Sequence, residues 1–284
     1  MQSFKNSPNL WQQSLPKVLK DGHKFDRGFA IFWGGSSLSG AIRLAATSSR
    51  RVGVGLAGIV SSHSTHTLYG EQPGILTFVP LKDSLPQKMR LFLQKARDPR
   101  VTALSLGSGL SPSSFLNSFN RRILENLLDL NKPMIIDGGA LHPLWFMLDR
   151  SLQNVVFTPH KGEAVRLFSL NHNERLSMEA LNDRLQENGA TLVLKSPQTL
   201  IASANHVWVF QENAPAHLAT AGTGDVLTGI LTGLMAQKMS IFEACCAGVW
   251  IHAESARNAG AFMIAEDLIN SLHAVMQDFH KKTT

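Results

Sequence analysis

Phe29-Ala30-Ile31-Phe32-Trp33-Gly34-Gly35-Ser36-Ser37-Leu38-Ser39-Gly40-Ala41-Ile42 opens with five apolar residues and a glycine pair, and apolar residues then recur at helical spacing, at Leu38, Ile42, Ala45 and Ala46, as far as Arg50. This reads as a buried strand, a glycine turn and a helix. The same order of signals recurs downstream. Val101–Leu106, Met134–Ile136, Val155–Phe157 and Leu192–Leu194 are short apolar runs, each followed by Gly, Pro or Ser and then by helix-like sequence. Strands alternating with helices predict an α/β fold with a mainly parallel sheet. Thr199–Ala202 and His206–Phe210 flank Ser203-Ala204-Asn205 and predict a hairpin that adds antiparallel strands at one side. From Gly224 onward the pattern is helical. An amphipathic helix is expected over Asp225–Gln237, a capping box at Ser240 and Glu243 starts the next, Gly260 stops it, and a last helix runs from about Glu266 to Phe279. There is no internal repeat and no low-complexity linker.

The chain has 284 residues, 44% hydrophobic and 17% charged, enough for a sizeable core. One domain over residues 23–284 is expected, preceded by an N-terminal arm over residues 1–22. Periodicity is weak as far as residue 27, and the arm is expected to pack on the body through Leu10, Trp11 and Leu15. The net charge of +6 and a pI near 9.5 favour anionic partners. Basic residues are scattered or paired, as at Arg50-Arg51 and Arg121-Arg122, and no nucleic-acid-binding motif is present, so small phosphorylated ligands fit better. The two cysteines, Cys245 and Cys246, are neighbours in a helical stretch, where they can form neither a relaxed disulfide nor a zinc site. His63 and His66 lack partner ligands at zinc-like spacing. With no apolar leader and no membrane-length run, a soluble cytoplasmic protein is expected.

In a parallel sheet, ligands bind at the carboxyl ends of strands, so the turns there carry the functional reading. Ala221-Gly222-Thr223-Gly224-Asp225 lies before a helix, and its glycines allow successive amides to turn toward an anion while the helix adds its positive end. Asp225 is either a base that takes a proton from a nucleophilic hydroxyl or the N-cap of that helix. The turn at Gly34–Ala41 either lets a ligand lie against the backbone or packs a helix closely. Gly107-Ser108-Gly109-Leu110-Ser111 offers amides to a phosphate or a ribose, or is a structural turn; it matches neither the P-loop nor the dinucleotide fingerprint. Asp137 either helps hold a Mg²⁺ ion beside a diphosphate or caps the next helix. His160, in the rigid turn Thr158-Pro159-His160, either donates to a ligand or is structural. Lys195-Ser196-Pro197-Gln198-Thr199 either wraps a nucleotide, with Lys195 near its phosphates, or simply joins two strands.

Taken in order, the first glycine turn, Gly107-Ser108-Gly109-Leu110, Asp137-x-x-Ala140-Leu141, Thr158-Pro159-His160-x-Gly162-Glu163, Lys195-x-x-x-Thr199 and Ala221-Gly222-Thr223-Gly224-Asp225 resemble the ADP/ATP-dependent NAD(P)H-hydrate dehydratases. The likeness runs from about His23 to the last helix. Leu218–Gln237 and Val249-Trp250-Ile251-His252 look closest to the C-terminal half of bifunctional enzymes, in which an epimerase half comes first; this chain is expected to lack that half, and the resemblance leaves open whether an epimerase acts from a separate chain. The resemblance implies a ribokinase-like, three-layer α/β/α fold and repair of NADH and NADPH hydrated at C6, driven by ADP or ATP with Mg²⁺. It implies that Asp225 deprotonates the C6 hydroxyl for attack on the terminal phosphate, and that Gly222, Thr223 and Gly224 cradle that phosphate. The hydrated substrate would meet Ala41, Gly109, His160 and Asp225, and the nucleotide Lys195, Ser196, Pro197, Gln198, Thr199 and Gly224. A homo-oligomer, and no nucleic-acid or membrane partner, complete the expectation.

The chain departs from the family pattern at three places. Gly139 stands where a second acidic residue is usual, and Ser111 and Ser196 stand where the family has glycine. These departures bear on metal placement and nucleotide affinity. Two other readings use the same residues: a small-molecule kinase, since Gly-Thr-Gly-Asp is also a kinase base motif, and a nucleotide-binding protein without catalysis.

Overall fold

The computed structural model describes residues 2–283 apart from 19, 36–37, 71, 169–176 and 205–206. Ser36 and Ser37 of the first turn and Asn205 of the hairpin turn lie outside the described residues. In chain order the elements are β1 (Gln2–Lys5), β2 (Phe29–Trp33), α1 (Ser39–Arg51), β3 (Leu56–Val60), α2 (His63–Gly70), β4 (Leu76–Phe78), α3 (Leu85–Arg97), β5 (Ala103–Leu106), α4 (Pro112–Ser118) and α5 (Arg121–Leu128). Then follow β6 (Met134–Ile136), β7 (Val155–Phe157), α6 (Lys161–Leu167), α7 (Met178–Asn188), β8 (Thr191–Leu194), β9 (Thr199–Ser203), β10 (Val207–Gln211), α8 (Thr223–Ala236), α9 (Ile241–Ala259) and α10 (Ala265–Thr283).

The strands form one sheet in the order β1-β10-β9-β8-β7-β6-β5-β2-β3-β4. Among the described residues only β9 runs against its neighbours, pairing antiparallel with β8 and β10. The expected hairpin is therefore present at one side of a parallel sheet. Successive side chains alternate between the two faces. Phe29, Ile31 and Trp33 join the core beneath α3, α4 and α5, while Ala30 and Phe32 face α1. Met134, Ile136, Val155 and Phe157 likewise face one way, and Ile135 and Val156 face α8 and α9. Both faces are covered, which is why the parallel strands read as unbroken apolar runs.

Several elements differ from the sequence reading. The helix over Asp225–Gln237 is not amphipathic: every residue from Val226 to Ala236 is buried, because α8 lies between the sheet, α1 and α9. Gly229 and Gly233 make this possible, since a Cβ at Gly229 would stand 2.0 Å from the Ala45 carbonyl oxygen. The Ser240 and Glu243 capping box does not form. The Ser240 hydroxyl instead donates to the Glu243 carboxylate, whose other oxygen accepts from the Ser14 hydroxyl at 2.6 Å. Gly260 does end α9, at φ 84°.

The arm packs through Trp11 and Leu15, both buried, whereas Leu10 is 39% exposed and contributes little. Its first residues also form β1, parallel to β10, which the polar sequence Gln-Ser-Phe-Lys did not signal. The two cysteines are free and buried, and burial pushes the Cys246 thiol up to about 12. No helix among the described residues is long and apolar enough to cross a membrane.

Candidate active site

Four strand ends and one helix start converge. The turns after β5, β6, β7 and β8 bring Ser108, Asp137, His160 and Lys195 to the N-terminus of α8, where Asp225 lies in the first turn. Gly222 is the N-cap of α8, in the left-handed region at φ 89°, where its lack of a side chain also avoids Leu44. Asp225 comes three residues later, so it does not cap this helix. Thr223 fixes the turn by donating to the carbonyls of Leu218 at 2.8 Å and Thr220 at 2.9 Å. His252 on α9 donates from Nε2 to the Thr223 carbonyl at 2.9 Å; its burial holds the ring neutral, pulling it down to about 4. The placement of Asp225 is thus fixed from two sides.

The electrostatics separate the two carboxylates, Asp137 fully buried and Asp225 half-buried. Burial alone would push Asp137 up, but the Lys195 ammonium at 2.8 Å and the hydroxyls of Thr158 at 2.8 Å and Thr228 at 2.9 Å hold it below the usual carboxylate range. Lys195 in turn is held above its ordinary value: burial opposes its charge, and Asp137 with Glu163, 3.9 Å away, more than compensates. Asp225 goes the other way. Burial first and the Asp137 charge second raise it to about 6, against the smaller pull of Ser108 and Lys195. A site that keeps one carboxylate ionised and poises its neighbour near neutrality has the pattern of an acid or base. The Ser108 hydroxyl beside it is buried, and its hydrogen-bonding pull on Asp225 opposes that rise.

Asp137 does not cap the turn that follows it, and both of its oxygens accept hydrogen bonds from protein groups. No group of three or more His, Cys, Asp or Glu among the described residues could hold a metal ion. The described residues alone offer no cage for a resident Mg²⁺, and the acidic position expected to support one is closed for a steric reason. A Cβ at Gly139 would stand 2.3 Å from the Leu110 carbonyl oxygen, so this chain has no room there for an aspartate.

The other departures also have local explanations. Ser111 caps α4, accepting from the Ser114 amide at 3.1 Å. Ser196 donates to the Gln198 carbonyl at 2.6 Å, and Thr199 to the Ser196 carbonyl at 2.9 Å, so the exposed Ser196-Pro197-Gln198 loop is closed on itself. His160 is both readings at once. Its Nδ1 accepts from the Gly162 and Glu163 amides at 3.1 and 3.2 Å, in a true capping box with Glu163. That fixes the proton of the neutral ring on Nε2, so the exposed side of the ring is a donor.

Ala41 and Gly109 meet next to Ser108, where a Cβ at Gly109 would stand 3.7 Å from Ala41 Cβ. Gly224 lies beside Lys195, its missing Cβ 3.5 Å from Nζ. The sequence does not mark Ser108, Thr158, Glu163, Thr228 and His252 as working parts of this site, although all five lie in the segments that carry the resemblance. A cavity of about 720 Å³ lies away from these turns, between the arm and α10.

Solved structures of the ribokinase-like class share this fold. An NAD(P)H-hydrate dehydratase of Bacillus subtilis, described as ADP/ATP-dependent and co-crystallised with ATP and Mg²⁺, superposes with a TM-score of 0.76 at 24% identity, covering 97% of this chain and 98% of its own. The ADP-dependent (S)-NAD(P)H-hydrate dehydratase of Neisseria meningitidis is 33% identical over 85% of this chain and 82% of its own length. A bifunctional NAD(P)H-hydrate repair enzyme of Coxiella burnetii is 32% identical over 86% of this chain. The chain spans about half the length of such bifunctional relatives, 48% in that case. The NAD(P)H-hydrate dehydratase family model matches residues 30–277, and the chain belongs to that family.

Proposed function

We propose that the chain dehydrates the S form of C6-hydrated NADH and NADPH at the expense of ADP, as a hydro-lyase of nicotinamide nucleotide repair. In the proposed reaction Asp225 takes the proton of the C6 hydroxyl as its oxygen attacks the terminal phosphorus of ADP. The bond from that phosphorus to the bridging oxygen breaks, and AMP leaves. The C6 phosphate ester then eliminates, with loss of a proton from C5, giving the dihydronicotinamide and inorganic phosphate. Such a transfer needs positioning and charge stabilisation more than covalent chemistry, and a helix N-terminus supplies both.

The single observation that carries the reading is Asp225 itself, a half-buried carboxyl raised to about 6 in the first turn of α8 beside an ionised carboxylate that Lys195 holds. A base poised near neutrality is matched to a hydroxyl proton. In this reading Gly222, Thr223 and Gly224 receive the transferring phosphoryl, and Lys195, Ser196, Pro197, Gln198 and Thr199 border the nucleotide. Ala41, Gly109 and the Nε2 proton of His160 meet the hydrated cofactor. Mg²⁺ would arrive only on the nucleotide's phosphates, and no step is assigned to it.

The bifunctional relatives support an epimerase partner that interconverts the two hydrate epimers. The buried free thiols of Cys245 and Cys246 suit a reducing compartment, the cytoplasm. A homo-oligomer belongs to the same proposal, and sedimentation of the purified chain tests it. The reaction is tested by incubating the chain with hydrated NADH, ADP and Mg²⁺ and following absorbance at the NADH wavelength. Recovery of NADH is expected with AMP and phosphate in equal amounts. No recovery with either ADP or ATP would sink the proposal, and a stable phosphorylated product would mark a kinase.

A further inference from the structure

The first strand-end turn is fastened from beneath by two buried side chains that the proposed chemistry does not use. Lys88 on α3 is 7% exposed; its ammonium donates to the Gly34 carbonyl and sits 4.4 Å from the centroid of the Trp33 ring. Tyr69 on α2 is fully buried, and its hydroxyl donates to the Gly35 carbonyl at 3.2 Å. Consecutive carbonyls of one glycine pair therefore each accept a hydrogen bond from a different helix.

This turn leads directly to the base. The missing Cβ of Gly35 would stand 2.3 Å from the Gly109 carbonyl, and the Leu38 amide donates to the Gly109 carbonyl at 3.3 Å. Gly109 follows Ser108, which stands beside Asp225. A shift of the first turn is felt at the second, because two glycines in such contact leave no slack.

A buried ammonium is costly. Burial lowers Lys88 to about 8, with Asp83 opposing, and an apolar side chain of the same length would escape that cost. The two contacts that stabilise its charge, the Gly34 carbonyl and the Trp33 ring face, both belong to the end of β2.

We propose that Lys88 and Tyr69 are positioning residues that hold the Gly34-Gly35 turn in the shape that receives the hydrated dinucleotide, without touching it. The identity of that ligand rests on the dehydratase reading; the fastening of the turn does not. Lys88→Met removes the donor at nearly constant volume, and Tyr69→Phe removes the other. A hydrogen bond from a charged donor is worth enough that the KM for hydrated NADH should rise about tenfold in Lys88→Met, and a few-fold in Tyr69→Phe. In both, kcat and the KM for ADP should stay within about threefold of wild type, as general loss of fold would not arrange.

Amide hydrogen exchange supplies the readout that does not depend on turnover. Exchange at Gly34, Gly35 and Leu38–Ala41 should quicken about tenfold or more in both variants, with α9 unchanged. Unchanged exchange at those amides in both variants would overturn the proposal, as would a KM for ADP that rises as much as that for hydrated NADH. A wild type without turnover would remove the dehydratase reading and the ligand named here, while exchange would still decide whether the turn is fastened.

Discussion

At Asp225 the fold makes a carboxylate reluctant to ionise, and stability and catalysis then pull in opposite directions. Burial and the neighbouring Asp137 charge raise its value from 3.8 to about 6, so the folded state holds the proton more tightly than the unfolded chain does. That contribution to stability is complete below about pH 4 and is lost as pH rises through 6. At pH 7 the ionised group is therefore a burden on the fold, on the order of 2 kcal/mol. Asp225→Asn removes it. The variant should melt several degrees higher than wild type at pH 7, yet turn over about 10² to 10⁴ times more slowly while still binding ADP. Calorimetry and steady-state rates check the two halves, and unchanged turnover would take Asp225 out of the base's role. For the wild type, kcat/KM should rise with pH through about 6, since the base works only when ionised. The importance of Asp225 was legible in the sequence because glycines and an acid before a helical run are local signals. The engagement of Asp137 was not, because Lys195 and Thr228 reach it from 58 and 91 residues away.

Among the elements, α8 and α1 form the joint on which the base rests. Ser48 on α1 donates to the Val226 carbonyl at 3.0 Å, one residue beyond Asp225, and Gly229 and Gly233 present bare backbone to Ala45 and Ser49. Close approach of this kind needs glycine on one side. Gly229→Ala would put a methyl 2.0 Å from both the Ala45 oxygen and the Ser48 hydroxyl, so the helices must part, at a cost of about 1–3 kcal/mol or more. Gly40→Ala, in the first turn of α1 with nothing within 4 Å of the added Cβ, should instead leave stability unchanged or raise it by about 0.4–1 kcal/mol. Urea melts of the pair check both directions, and loss in Gly40→Ala would mean that helix propensity does not govern α1. Reading α8 as amphipathic failed for the same reason: threonine and glycine look polar in a sequence. Here the Thr228 and Thr232 hydroxyls are both satisfied inside, by Asp137 and by the Thr228 carbonyl.

Across the whole molecule, what the sequence revealed was the inner part of the sheet. Apolar runs ended by glycine or proline located β2 and β5 to β8, and small residues between two such runs located the hairpin. The outer strands escaped. β1 is exposed at every residue and β4 is short and only half-buried, so neither carries the apolar run that burial on both faces imposes. β3, Leu56–Val60, is apolar enough to have been seen. The arm that supplies β1 is nonetheless tied into the body. Asn6 donates to the Gln211 side chain at 2.9 Å and to the Cys246 carbonyl at 2.8 Å, and accepts from the Trp11 indole at 3.2 Å. Trp11 itself is 1% exposed, with ring centroids 5.6 Å from Trp250 and 5.2 Å from Phe279, so one side chain joins the arm to α9 and α10. Trp11→Ala should cost about 3–5 kcal/mol, because it opens a cavity among aromatic rings and leaves the Asn6 oxygen short of a donor. A fall in melting temperature of about 10 °C is expected. Well below that temperature kcat should be near wild type, since the Thr223 bonds to Leu218 and Thr220 that fix the turn carrying Asp225 lie outside the arm. Lost activity in a folded Trp11→Ala protein would show instead that the arm acts through α9, which carries both Trp250 and His252, on the turn that holds the base.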